Sequence, residues 1–130
     1  MAADVQEVHL VAERSTKFPA GTWNMKALFV PTGMVGTNQY NIKFTLSDRN
    51  LSGLPALGSS HALFDQHQNG DQHWLELTIV PGGLVGDAVL DGGPSNRIDL
   101  VAHVEIFDPT VSDQQPVANR HSPGLDLFVD

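Results

Sequence analysis

Apolar and polar residues alternate with a period of two through most of the chain. From Gln39 to Ser47, Tyr40, Ile42, Phe44 and Leu46 fall on one face, and Asn41, Lys43 and Thr45 on the other. Successive side chains of a strand point to opposite faces, so this predicts a half-buried antiparallel strand. Arg97 to Phe107 repeats the pattern, with Ile98, Leu100, Ala102, Val104 and Ile106 set against Asp99, His103 and Glu105. His73 to Val80 places Leu75, Leu77 and Ile79 on one side and Glu76 and Thr78 on the other. Trp23 to Val30 becomes apolar on both faces towards its end. Val8 to Ala12 opens the set, and a last strand is expected near residues 124–130. Asn69-Gly70, just before the His73 strand, is the strongest turn signal. Pro31-Thr32-Gly33, Pro81-Gly82-Gly83 and Gly92-Gly93-Pro94 mark further strand ends. No stretch sustains helical spacing. Gly53 to Gln66 has room for one short helix, weakened by Pro55 and Gly58.

The chain also echoes itself. Phe29-Val30-Pro31-Thr32-Gly33-Met34-Val35-Gly36 matches Ile79-Val80-Pro81-Gly82-Gly83-Leu84-Val85-Gly86 at an offset of 50, with five of eight pairs identical. Each copy follows one alternating strand and precedes another. The reading is two related half-motifs, roughly 8–50 and 60–112, joined by the Gly/Ser/Pro-rich segment from Leu51 to Ser60. Each half has about three strands, too few to bury a face alone, so the halves should share one core. A Pro followed two residues later by Gly suits a bend where a strand leaves its sheet, since Pro lacks a ladder donor and Gly tolerates positive φ.

Composition then narrows the function classes. The 130 residues carry seven Lys and Arg against fifteen Asp and Glu, a formal charge of −8, and the basic residues are scattered. A nucleic-acid partner is not expected, and anionic membrane surfaces should repel the chain. Cysteine is absent, which excludes disulfides, thiol catalysis and Cys-type metal centres. A cysteine-free chain is compatible with the cytoplasm. No signal peptide is visible, and a secreted mature form stays open.

Four groups of residues could carry chemistry. His61, Asp65, His67 and His73 combine imidazole and carboxylate donors for a divalent metal. Were Gln68 to Asp71 a hairpin turn, His67 and His73 would be neighbours on adjacent strands. His103 and Glu105 share the polar face of their strand, available to solvent, to a partner, or as a general acid–base pair. Trp23 and Trp74 occupy similar places in the two halves and could form a stacking platform for a sugar or an anchor for a protein. Asp87 to Asp99 offers oxygen ligands for calcium, without the usual D-x-D-x-D-G spacing. Gly21-Thr22-Trp23 resembles the G-x-W of the first strand in lipocalin-like ligand-binding barrels, a resemblance of three residues from which no ligand is carried over. Here the Val8 to Ala12 strand precedes the motif.

These readings converge on a single all-β domain, an antiparallel β-sandwich of jelly-roll or Greek-key type with about seven or eight strands. The expected function is a non-catalytic binding or assembly module contacting a protein or glycan, with a homo-oligomer among its forms. The ligand-binding candidates are Trp23, Trp74, His103 and Glu105. The sequence leans away from an enzyme, and no cofactor is expected apart from the candidate divalent metal at His61, Asp65, His67 and His73. The alternatives are a small metal-dependent β enzyme using that cluster and a β-barrel holding a small apolar ligand.

Overall fold

A computed structural model describes residues 3–14, 23–48, 56–79, 97–112 and 114–128. Among them are the strands β1 (Asp4–Arg14), β2 (Trp23–Thr32), β3 (Tyr40–Asp48), β4 (Ala56–Phe64), β5 (His73–Ile79), β6 (Arg97–Phe107), β7 (Ala118–His121) and β8 (Leu125–Phe128). They form two antiparallel sheets. One has the order β1-β2-β5; the other has β4-β3-β6-β7, with β8 also pairing to β6. The chain therefore changes sheet three times, between β2 and β3, between β4 and β5, and between β5 and β6. The second strand beside the fifth and the third beside the sixth is the immunoglobulin-type Greek-key arrangement, here with the fourth strand beside the third rather than the fifth. This is the expected sandwich, in its Greek-key rather than jelly-roll form.

The alternation in the sequence becomes the inside and outside of the sandwich. β2 buries every second residue from Trp23 to Pro31, and β3 buries Tyr40, Ile42, Phe44 and Leu46. Leu100, Ala102, Val104 and Ile106 of β6 and Leu75 and Ile79 of β5 join them in one hydrophobic cluster. Burying one such Leu, Ile or Phe contributes about 1.5–3 kcal/mol, so this shared cluster dominates the folding energy. β1 enters the cluster through a change of phase. Register slips between Gln6 and His9, and Glu7 sits at φ 53. This bulge lets Val5 and Val8, three positions apart, both point inward.

The half-motifs meet as neighbours, since β2 pairs with β5 and β3 with β6. Their first strands part company, as β1 flanks β2 while β4 flanks β3. Gly33 and Gly36 of the first Pro-Gly bend take positive φ; the second bend lies outside the described residues. Pro31 pairs with Val5 of β1, but β5 stops at Phe29, so the missing Pro31 N–H costs no ladder bond. The bend is clasped by the turn at Asn69-Gly70. Asn69 Oδ1 accepts from Met34 N at 3.1 Å, its Nδ2 donates to Met34 O at 2.8 Å, and Gly70 N donates to Pro31 O at 2.8 Å. The stretch Gly53 to Gln66, where a short helix had room, holds β4 instead. Most of its side chains are small, and β3 offers them an edge to pair with.

Candidate functional site

The outer face of the five-stranded sheet gathers much of the polar chemistry of the described residues. Asn41, Lys43 and Thr45 project from β3 on the side opposite the core. Register sets Phe107 and Leu63 on either side of Asn41, Glu105 and His61 beside Lys43, and His103 and Ser59 beside Thr45. β7 extends two of these rows, with Asn119 next to Glu105 and His121 next to His103. Three histidines, one carboxylate, one ammonium and two amides thus share a face.

His103 is the centre of this group. Its ring lies flat on His121, centroids 4.1 Å apart and planes 6° from parallel. His103 Nε2 and Asn119 Oδ1 are 3.1 Å apart, which fixes Nε2 as the donor, since a carbonyl oxygen only accepts. Its Nδ1 faces Glu105 Oε1 at 3.9 Å, with the two side chains 27% and 19% exposed. His121 is held below the usual histidine range, first by partial burial and then by the charge His103 can carry, while Glu105 opposes both. Beyond the polar rows a shallow groove of about 80 Å³ is lined by Gln39, Asn41, Leu63, Phe107 and Pro109. Drug-sized ligands need about 300 Å³ or more, so the groove fits one side chain or one sugar substituent.

His103 and Glu105, read from the sequence as binding residues, are therefore brought together. The two tryptophans are not. Trp23 is 7% exposed and packs in the core, so it offers no surface to a ligand. Trp74 is 53% exposed on the outer face of the other sheet, where its Nε1 donates to Glu76 Oε1 at 3.1 Å. Glu76 also meets Lys26 Nζ at 3.8 Å. A shared platform of the two indoles does not form, because they have opposite phase in their strands.

The proposed metal donors also separate. The turn after β4 is not a hairpin, since β4 and β5 belong to different sheets. His61 points outward beside Lys43, whereas His73 packs its ring against Phe64 at 5.6 Å and buries an Nε2 that has no partner. Asp65 caps the short 3₁₀ turn Gln66–Gln68, accepting from His67 N at 2.9 Å, while Gln68 Oε1 accepts from Asp65 N at 2.8 Å. His67 Nδ1 lies 2.9 Å from the same carboxylate. The His67 backbone N–H, then the His67 ring, hold Asp65 below the usual carboxylate range. Asp65 and His67 thus form a local cap, and no group of three or more metal-ligating side chains gathers among the described residues. The acidic stretch from Asp87 lies outside the described residues as far as Asn96. Among the described residues the strands form two separate open sheets, so the barrel reading does not apply.

Asn119, His121, Lys43 and the groove around Asn41 were not singled out by sequence. Lys43 and Asn41 were visible as outward residues of β3. Asn119 and His121 lie on the four-residue β7, too short for alternation to register.

No protein-family model matches the chain, and no curated protein matches it in sequence. Among solved structures it is similar to a bacterial adhesin from Mobiluncus mulieris that contains intramolecular disulfide, isopeptide and ester bond cross-links. The TM-score is 0.69 at 12% identity, over 98% of this chain and 57% of that one. The chain thus spans a little over half the length of that adhesin, and the likeness concerns the fold.

Proposed function

We propose that the chain is a non-catalytic binding module that engages a protein or glycan partner through the outer face of its five-stranded sheet. The reading is carried by one observation: β6 and β7 hold His103, Glu105, Asn119 and His121 in adjoining rows, next to a groove with apolar walls at Leu63 and Phe107. Polar groups around an apolar anchor point are the composition of recognition surfaces for sugars and for protein side chains. The likeness in fold to an adhesin agrees with a binding class. The test is a glycan array, with protein partners probed by surface plasmon resonance, using the wild type, the pair His103→Ala with Glu105→Ala, and Trp74→Ala. The double variant should lose at least ~10-fold in affinity, about 1.4 kcal/mol. Trp74→Ala, on the opposite face, should bind as the wild type does. Binding that survives the double variant and fails with Trp74→Ala would overturn the assignment of the face.

A further inference from the structure

A strand at the edge of a sheet carries N–H and C=O groups aimed away from its one neighbour, and proteins normally obstruct pairing there with charge, proline, bulges or short strands. Among the described residues the two sheets have four edges, and three of them are obstructed. β1 carries Asp4, Glu7, Glu13 and Arg14 and is kinked by the bulge at Glu7. On β6's free side, β7 and β8 are four residues each and are separated by Ser122-Pro123-Gly124. β5 has Glu76 at its midpoint, so pairing with a symmetry-related β5 about that point would set two carboxylates directly opposite each other.

β4 has a bulge at Leu57, where its register with β3 slips near its start, and from Gly58 to Phe64 it has none of these features. Its nine residues, Ala56-Leu57-Gly58-Ser59-Ser60-His61-Ala62-Leu63-Phe64, contain no charged side chain and no proline, in a chain of formal charge −8. Among the described residues it pairs only with β3. Its midpoint is Ser60, whose Oγ is buried without a hydrogen-bond partner. Leu63 stands 60% exposed near its end.

We propose that β4 pairs with β4 of a second copy of this chain, antiparallel about a twofold axis at Ser60, and so joins two five-stranded sheets into one. This register is compatible with itself on both faces. Gly58 meets Ala62 of the partner on the inner side, where only small groups fit; Ser59 meets His61 of the partner on the outer side, with no like charges opposed. Ser60 meets its own mate, and each hydroxyl can both donate and accept. A twofold contact of this kind closes on itself and yields a dimer rather than a fibre.

Sedimentation equilibrium on the full chain tests the proposal, from micromolar to sub-millimolar concentration. The wild type should move from the 14.0 kDa chain mass to twice that value as concentration rises. The pair Ser59→Glu with His61→Glu opposes four carboxylates across the axis and should stay monomeric. The pair Ser59→Lys with His61→Lys should do the same. Mixed one to one, the two variants should form a heterodimer, because each Glu then faces a Lys. Unchanged circular dichroism shows that either variant still folds. A wild type that is monomeric throughout would overturn the proposal. So would a dimer that persists in the all-Glu variant, or folded variants that fail to associate when mixed.

Discussion

The two flanks of the sandwich are joined by different chemistry. Where β1 passes β7, a charged side chain crosses the gap, and Arg120 Nε donates to the Val5 carbonyl at 3.0 Å. The strand it leaves is broken just beyond, at Ser122-Pro123-Gly124. Ser122 repairs the ladder there: its N donates to Ala102 O at 2.8 Å, and its Oγ accepts from Ala102 N at 2.9 Å. Where β4 passes β5, the join is apolar. Phe64 stands edge-on to Phe29 at 5.5 Å, across the two sheets, and to His73 at 5.6 Å. Gly58 leaves a space that Leu77 fills, since a Cβ there would lie 2.8 Å from Leu77 Cδ2. A polar join consumes backbone and side-chain hydrogen bonds and leaves a short, interrupted edge. An apolar join needs only side chains on the inner face, so the backbone edge of β4 stays regular from Gly58 onward, past the bulge at Leu57. The flank closed by packing alone is the one left with an edge able to pair.

The sharpest way to break the apolar flank is Phe64→Ala. The substitution removes a half-buried ring that spans both sheets and two edge-to-face contacts, and should cost about 3 kcal/mol. Denaturant titration should show a lower midpoint with an unchanged slope, the sign that stability rather than compactness has changed. A loss below ~0.5 kcal/mol, the range of ordinary surface changes, would mean that the ring does not join the sheets.

On the polar flank the counterpart is Ser122→Ala. Ser122 is 7% exposed, and its loss leaves the buried Ala102 N–H without an acceptor. An unsatisfied buried donor costs about 1–3 kcal/mol, more than the net worth of the bond itself. The effect should be local as well as global, so the Ala102 amide should exchange with solvent much faster than its β6 neighbours. Protection that is unchanged at Ala102 would show that the broken edge holds together without the serine.

The same contrast explains what could be read from the sequence. β2, β3, β5 and β6 each bury one face against the core and leave the other in partial contact with water, so their apolar and polar residues separate by phase. β4 does not, because its inward Ser60 is polar and its outward Leu63 is apolar. An edge strand has less burial to enforce alternation, and a Gly/Ser-rich run reads as a linker. The phase of β1 changes at Glu7, so an uninterrupted alternation recovers only its second part. The metal reading failed on topology rather than on residue chemistry. It required a hairpin at Asn69-Gly70, and that turn instead clasps the Pro31 bend. Trp74 was legible, since Leu75 and Leu77 point inward and force Trp74 outward. His103 and Glu105 were placed by the same logic, whereas their β7 neighbours Asn119 and His121 come from pairing between segments far apart in sequence.

The smallest expected effect lies at the margin of the polar flank and depends on pH. His121 stacks on His103 and is held below its ordinary value of 6.5 by burial and by that neighbour. In the unfolded chain it takes up a proton at the ordinary value, so between the two values the unfolded state binds more protons than the folded one. Stability contributed by this residue is therefore complete above pH 6.5 and declines as pH falls through 6.5 towards the lower folded value. The side chain is largely exposed, so solvent screening keeps the decline small. Melting temperature followed from pH 7.5 to pH 5 should fall slightly in the wild type, about a degree or two, and less in His121→Gln, which keeps a polar group without the titration. The opposite slope, with the wild type gaining stability on acidification relative to His121→Gln, would mean that Glu105 outweighs the stack.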